Sequence, residues 1–179
     1  MTTEATTTAA TVTGERADLL EMLTQHRFFL RNTTRGLTDE QASRRTTVSE
    51  LCLGGLIKHV TEVERTWADF IVNGPSPAAD FENMTEADWE ARTNGFRLLP
   101  GETLAGVLDA YAEVARGTDE LVATVDLDAS HPLPSAPWFE ANKRWSVRRT
   151  LLHIVAETAQ HAGHADIIRE SLDGAKSMG

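Results

Sequence analysis

The sequence predicts an all-α protein built as a four-helix bundle with long crossing loops. Four long stretches carry apolar residues at the three- and four-residue spacing of amphipathic helices. No stretch alternates apolar and polar residues for long enough to indicate a sheet, and no segment recurs at a fixed period. Two of the connections between the long helices are themselves long, which is compatible with a bundle.

The first helix is predicted over residues 15–35, and Gly36 is its expected stop. Thr38 is followed three residues later by Gln41, a capping-box pattern that predicts a short helical turn. The apolar stripe of the first helix is expected to comprise Leu19, Leu20, Met22, Leu23, Phe28, Phe29 and Leu30.

The second long helix is predicted to begin at Thr47, because Thr47 and Glu50 repeat the capping-box pattern. Its apolar spacing continues to Val72, and the Asn-Gly-Pro sequence at 73–75 then ends it. A loop over 75–79 and a short helix over 85–92 are expected to follow, with Thr85 as the cap of the short helix and Asp88 three residues on.

The third long helix is predicted over residues 102–125, and the fourth runs from Trp145 to Gly174 with Ser146 as its N-cap. Residues 126–139 between them contain several prolines and are therefore expected to form a crossing loop rather than a helix. The buried face of the third helix is expected to comprise Leu104, Val107, Leu108, Tyr111, Val114, Leu121 and Val122.

The length of 179 residues suits one domain, since domains typically contain about 100–200 residues. We expect residues 1–14, rich in Thr and Ala, to form a flexible tail and residues 15–179 to form the domain. The tail lacks the basic and apolar regions of a signal peptide, which predicts a cytoplasmic protein. The single cysteine, Cys52, excludes an internal disulfide and fits a reducing compartment.

The formal net charge of −10 argues against two classes of partner. Nucleic-acid binding depends largely on Lys and Arg side chains that neutralise phosphates, and an anionic membrane surface would also repel an acidic chain. No apolar run approaches the roughly 18 residues that a bilayer span needs. The sequence therefore predicts a soluble protein that binds neither nucleic acid nor a membrane.

Two helices carry metal-competent side chains on their core-facing sides. His59 lies at the edge of the apolar stripe of the second helix, and Glu157 and His161 lie four residues apart on the inward face of the last. Imidazole nitrogens and a carboxylate oxygen suit zinc and other first-row ions, and a cation would neutralise an inward-facing glutamate. Three protein ligands leave an open coordination position, which is typical of catalytic sites.

Other interpretations of these residues stay open at the level of sequence. His59 can be a core histidine with a satisfied hydrogen bond, and Glu157 can pair with an arginine of its own helix. The arginines concerned are Arg148, Arg149 and Arg169.

The last helix carries two further histidines on the same face as Glu157. His153 and Glu157 are also four residues apart and form a rival pair of candidate ligands, so the choice of ligands is ambiguous. His164 is a candidate for orienting a metal ligand or for acting as an acid/base. His26 and His131 have no such neighbours and are expected at the surface or in packing. The chain has no nucleotide-binding glycine loop, serine nucleophile elbow, HExxH motif or CxxC pair, so a nucleophile supplied by the protein has little support.

Three segments together resemble the DinB-like superfamily. They are the segment from Leu56 to Trp67, the segment from Glu157 to Glu170, and the Gly-Leu-Thr-Asp-Glu-Gln sequence at 36–41. Proteins of this superfamily are four-helix bundles that hold a divalent metal with one ligand from the second helix and two, four residues apart, from the last. Most use three histidines. The glutamate here matches the branch that contains the N-terminal domain of mycothiol-dependent maleylpyruvate isomerase and the thiol S-transferases.

The resemblance implies that His59, Glu157 and His161 hold a divalent metal, zinc or alternatively nickel. It implies an enzyme that activates a low-molecular-weight thiol, mycothiol or a similar one, for attack on an electrophile, and it suggests a homodimer. His164, Asp166 and Arg169 are candidates for orientation or proton handling. The alternatives are a metal-binding stress or interaction protein without turnover and a metal-dependent hydrolase or isomerase.

Overall fold

The computed structural model describes residues 12–76 and 84–177, so most of the predicted N-terminal tail lies outside the described residues. Within them the chain is mainly helical, which confirms the all-α fold class. The elements are α1 (Glu15–Asn32), α2 (Asp39–Ser43), α3 (Leu53–Asn73), α4 (Glu86–Asn94), α5 (Leu104–Thr124), β1 (Ser130–Pro132), β2 (Arg144–Ser146) and α6 (Val147–Asp173). None of the described helices combines the length and the apolar character that a bilayer span requires.

The four long helices pack around a common core. Helix α6 packs against α1 and α3, and α5 packs against the same two helices from the other side. Helices α1 and α3 therefore stand at opposite corners of the bundle, and the connection through α2 crosses its end. The α3/α6 side of the bundle lies opposite the α1/α5 side.

Several helix ends lie where the sequence predicts them. Capping boxes are present at Thr38 before α2 and at Thr85 before α4. The hydroxyl of Ser146 accepts a hydrogen bond from a backbone N–H in the first turn of α6, and Gly174 ends that helix in the left-handed conformation. These signals are local and depend on residues within one turn of each other, which is why the sequence reveals them.

Two predicted helix ends are wrong. Helix α1 ends at Asn32, and the chain turns before it reaches Gly36, whose φ is 73°. The capping box at Thr47 does not form, because its hydroxyl accepts from the backbone N–H of Ser49, and α3 begins only after Cys52. Serine and threonine hydroxyls favour short turns of this kind as readily as caps.

The expectation that the chain has no sheet is also wrong, although the predicted crossing loop is indeed not helical. Strands β1 and β2 form an antiparallel pair in which His131 lies opposite Trp145 and Pro132 lies opposite Arg144. Each strand has three residues, too few for alternation to be visible in the sequence. Strand β2 leads directly into α6, so the pair fixes the start of that helix and the position of Trp145.

The core consists of two apolar clusters separated by polar side chains. Each long helix contributes at least one buried polar residue between the two clusters, and these residues are Arg27, Thr61, Glu64, Thr118 and Thr158. One cluster comprises Leu19, Leu23, Ile71, Val122, Leu127, Val147, Leu151, Ile154 and Val155. The other comprises Leu30, Leu53, Leu56, Ile57, Val60, Tyr111, Ala162, Ala165 and Ile168.

Candidate metal centre

The structure brings the three predicted metal ligands together between α3 and α6. One potential ligand atom from each of His59, Glu157 and His161 lies within 4.8 Å of the others. The rings of His59 and His161 meet edge to face with their centroids 4.8 Å apart. All three residues are partly buried, so the group faces a sheltered position at the bundle surface rather than open solvent.

Glu157 lies between two histidines of its own helix. One carboxylate oxygen is 3.8 Å from Nε2 of His161, and the other is 3.7 Å from Nε2 of His153. Both distances are too long for hydrogen bonds. The carboxylate thus lies between two imidazole nitrogens without a hydrogen bond to either of them. The rival pair of His153 with Glu157 is as close as the predicted pair of Glu157 with His161.

The arginines that the sequence offered as partners of Glu157 are engaged elsewhere. Arg148 donates to carboxylates in α1 and in the segment after α5. The guanidinium of Arg149 lies over the indole ring of Trp145 at 4.1 Å, and Arg169 pairs with a carboxylate one turn further along α6. Among the described residues, no arginine forms an ion pair with Glu157.

Burial keeps the histidines of the group neutral. Burial, followed by the smaller effects of His161 and Arg92, lowers the pKa of His59 to about 4. Burial also lowers the pKa of His161 and, despite the opposing effect of Glu157, that of His153. A neutral imidazole has the free lone pair that metal coordination requires, so these side chains are ready to bind a cation at neutral pH.

The donor set and its spacing fit a divalent first-row ion. Two ligands about 2.1 Å from a tetrahedral zinc ion are about 3.4 Å apart. The separations of up to 4.8 Å in the group therefore need to close by at most about 1.4 Å around a cation. In the part of the chain that the structure describes, the side chains of His59 and Glu157 make no hydrogen bond that such a shift would break. Two neutral nitrogens and one carboxylate suit zinc or nickel.

Phe96, which the sequence reasoning missed, covers the His59 ring. The two rings stack with centroids 4.0 Å apart and an interplanar angle of 23°. The backbone of Phe96 lies against Gly55 so closely that a Cβ there would be 1.9 Å from its carbonyl oxygen. A Cβ at Gly54 would be 2.6 Å from the side chain of Leu98. The only sequence signal for this contact was a Gly-Gly pair in the first turn of a long helix, where glycine is unfavourable.

An aromatic cluster flanks the other end of the group. Trp67 and Trp145 stack with centroids 4.9 Å apart, and the ring of His153 meets both edge to face at 4.9 and 5.0 Å. Trp145 belongs to β2, so its place in this cluster depends on the strand pair that the sequence did not reveal. The metal-competent residues therefore lie between Phe96 on one side and two tryptophans on the other.

The three candidates for proton handling lie in different surroundings. Nδ1 of His164 is 3.4 Å from Nδ1 of His161. Asp166 accepts a hydrogen bond from the backbone N–H of Ser177, and Arg169 donates to two backbone carbonyls of the turn after α1. Only His164 thus contacts a member of the metal group, whereas Asp166 and Arg169 hold other segments of the chain in place.

Two large cavities lie next to the bundle core. One, of about 1120 Å³, lies between α1 and α5 on the side opposite the metal group. The other, of about 980 Å³, is here called the α4 cavity, because the end of α4 forms one of its walls and α3 and the start of α5 form the others. The α4 cavity is lined by Lys58, Thr61, Glu62, Arg65, Ala91, Arg92, Asn94, Gly95, Leu99, Gly101, Glu102, Thr103, Gly106, Val107 and Ala110.

A comparison with family models identifies the group to which this bundle is related. The model described as mycothiol S-transferase matches residues 18–174, a span that includes nearly all of α1 and every later element. Among curated proteins, none matches the chain significantly. The match agrees with the resemblance carried by the helical segments around His59 and Glu157. The chain belongs to the mycothiol S-transferase family, within the DinB-like group.

Proposed function

We propose that this protein is a metal-dependent thiol S-transferase that joins mycothiol, or a similar low-molecular-weight thiol, to an electrophile. The observation that carries the proposal is the convergence of His59, Glu157 and His161 from two helices in a member of this family. We further propose that residues 15–179 act as one DinB-like domain. The predicted cytoplasmic location and homodimer stay predictions that only the family supports.

In this proposal His59, Glu157 and His161 hold a divalent cation, zinc or alternatively nickel. A cation bound there would lower the pKa of a thiol at the open coordination position and so supply thiolate at neutral pH. Glu157 offsets part of the positive charge, while the two neutral imidazoles add none. Phe96 and Trp67 limit the access of water from the two ends of the group.

The transfer forms one carbon–sulfur bond. The thiol sulfur supplies the electron pair to the electrophilic carbon, and the leaving group departs with the electron pair of the bond that breaks. The thiol proton passes to a base, and we assign that role to His164 because it lies 3.4 Å from His161. Asp166 and Arg169 are not part of this proposal, since their partners belong to other segments.

The test of the proposal is thiol consumption with a halogenated arene, measured for the protein as purified, stripped of metal and reloaded with zinc. We expect stripping to abolish turnover and zinc to restore it. Equal rates in the stripped and the loaded protein would contradict a metal-dependent transferase. Turnover of the second substrate without any added thiol would indicate a hydrolase instead.

Matched variants connect the activity to the proposed ligands. We expect Glu157→Gln and His161→Ala to lose the bound zinc, which elemental analysis measures. We also expect kcat/KM to fall at least about 100-fold in each variant, because loss of a residue that only supports a metal ligand already costs up to about that much. His26→Ala, on α1, replaces a partly buried histidine outside the group and serves as the control. Full zinc content and full activity in Glu157→Gln would remove this residue from the ligand set.

A further inference from the structure

His153 contacts Glu157 without belonging to the group of candidate metal ligands. Its Nε2 is 3.7 Å from one carboxylate oxygen of Glu157, whereas Nε2 of His161 is 3.8 Å from the other oxygen. In the part of the chain that the structure describes, the ligand atoms that lie within 4.8 Å of one another belong to His59, Glu157 and His161, and not to His153. The two oxygens of Glu157 thus face two different histidines, and only one of these histidines is placed to share a cation with His59.

The two histidines approach Glu157 from opposite directions along α6. His153 precedes Glu157 by one turn and His161 follows it by one turn, so they are about 12 Å apart along the helix axis. The ring of His59, on α3, meets the ring of His161 edge to face. A cation shared with His59 therefore lies on the His161 side of the carboxylate, and the other carboxylate oxygen faces His153.

Two indole rings fix the position of the His153 imidazole. The imidazole meets Trp67 and Trp145 edge to face, with ring centroids 4.9 and 5.0 Å away. Trp145 is buried, and Trp67 packs against one of the two apolar clusters of the core. Side chains packed in this way have little freedom to move. The cluster therefore keeps the imidazole close to the Glu157 carboxylate.

A hydrogen bond from His153 would orient the carboxylate of Glu157. With its proton on Nε2, a neutral imidazole donates one hydrogen bond there, and a shift of about 0.7 Å brings the two atoms to the usual distance of about 3.0 Å. One oxygen of Glu157 is then engaged, so the carboxylate presents only the other to a cation. A carboxylate that binds through one oxygen leaves more of the coordination shell open to a substrate than one that binds through two.

We propose that His153 is a positioning residue, whose Nε2–H holds one oxygen of Glu157 so that only the other is offered to a cation between His59 and His161. This inference rests on the proposed function for the presence of the metal. It assigns a role to a residue outside the ligand set. If His153 served only to pack against the tryptophans, a phenylalanine would replace it without effect on metal binding.

Two substitutions separate the hydrogen bond from the packing. His153→Phe keeps an aromatic ring against the indoles and removes the donor. His153→Gln removes the ring and keeps a donor, because the amide nitrogen of glutamine is as many bonds from Cα as Nε2 of histidine. We expect His153→Phe to raise the Kd for zinc about 10- to 100-fold, measured by competition with a coloured chelator, and His153→Gln to recover most of that loss. His26→Phe, the same replacement on α1, is the control and should bind zinc like the wild type.

Three results of this titration would overturn the proposal. An unchanged Kd in His153→Phe would leave packing as the role of the residue. An equal rise in Kd in His153→Phe and His153→Gln would mean that the ring, and not its hydrogen bond, positions Glu157. Loss of zinc as complete as in His161→Ala would make His153 a metal ligand.

Kinetics at saturating zinc test the same contact in a second way. In His153→Phe the released oxygen of Glu157 competes with the thiol for the open position, so the KM for the thiol should rise about ten-fold with a smaller change in kcat. A fall in kcat with an unchanged KM would contradict this role. A wild type that binds zinc but consumes no thiol would contradict the proposed function alone, because the zinc affinities still test His153. Absence of zinc binding by the wild type would overturn both proposals.

Discussion

Arg27 and Glu64 form an ion pair at the centre of the bundle. Arg27 donates to both carboxylate oxygens of Glu64 and, at 2.7 Å, to Asp119 on α5. Glu64 is fully buried, and Arg27 is 6% exposed. The two residues come from α1 and α3, which stand at opposite corners, so the pair connects these helices across the centre of the bundle.

Removal of one member of this pair should be costly. We expect Glu64→Gln to lower the free energy of unfolding by about 3 kcal/mol, because Arg27 then keeps a buried charge with only one carboxylate partner. Urea denaturation measures the change, with Glu62→Gln, an exposed glutamate two residues earlier, as the control. If Glu64→Gln unfolds at the same urea concentration as the control, the buried pair does not stabilise the fold.

The histidines make the metal-free protein sensitive to acid. Burial lowers the pKa of His59 to about 4, whereas the unfolded chain binds this proton near pH 6.5. Between these values the unfolded state binds more protons, so this contribution to stability is complete above pH 6.5 and is lost as the pH falls towards 4.

The expected result is a Tm of the metal-free protein that falls more steeply between pH 6.5 and 4 than the Tm of His59→Asn. Differential scanning calorimetry at several pH values measures the slopes. Gln160→Asn, an exposed position of α6, controls for the introduction of asparagine. Identical slopes for the wild type and His59→Asn would show that His59 is not held in its neutral form by the fold.

At the scale of elements, the sequence predicts those features that depend on neighbours along the chain. The four long helices, the capping boxes at Thr38 and Thr85 and the ends of α6 follow from local periodicity and hydrogen bonding. Exposed Phe28 and Met22 contradict the apolar stripe predicted for α1, since Arg27 takes the inward position in that turn. Helical periodicity alone does not distinguish a buried arginine with a partner on another helix from a solvated one.

The junction between α3 and the segment after α4 depends on glycine. We expect Gly55→Ala to lower the free energy of unfolding by about 1–3 kcal/mol, because its Cβ would overlap the carbonyl oxygen of Phe96. Gly117→Ala, in the middle of α5 with open space around it, should instead stabilise the protein by up to about 1 kcal/mol. Thermal unfolding of both variants provides the measurement, and equal stabilisation by both substitutions would contradict the close contact at Gly55.

At the scale of the whole molecule, the candidate centre joins two parts of the chain that are far apart in sequence. Periodicity predicted that His59, Glu157 and His161 lie on inward faces, because each lies at a definite angle on a regular helix, and the resemblance to the DinB-like superfamily favoured them over His153. It could not predict Phe96, Trp145 or the α4 cavity, since these depend on how irregular segments fold back onto the bundle.

A cation held by both α3 and α6 should stabilise the whole bundle. At a free zinc concentration 100 times the Kd, binding adds about 2.7 kcal/mol, which corresponds to a rise in Tm of about 5–10 °C for a protein of this size. Calorimetry of the wild type and of His161→Ala, each with and without zinc, measures this shift. A similar shift in His161→Ala would mean that zinc binds elsewhere.

Helix α4 has no buried residue, although its end forms a wall of the α4 cavity. Substitutions along this helix therefore cost the bundle little folding free energy, whereas their side chains alter the shape of the neighbouring space. Sequence changes can accordingly accumulate in α4 while the stability of the scaffold is preserved. Relatives with the same metal ligands are expected to diverge most in this short helix.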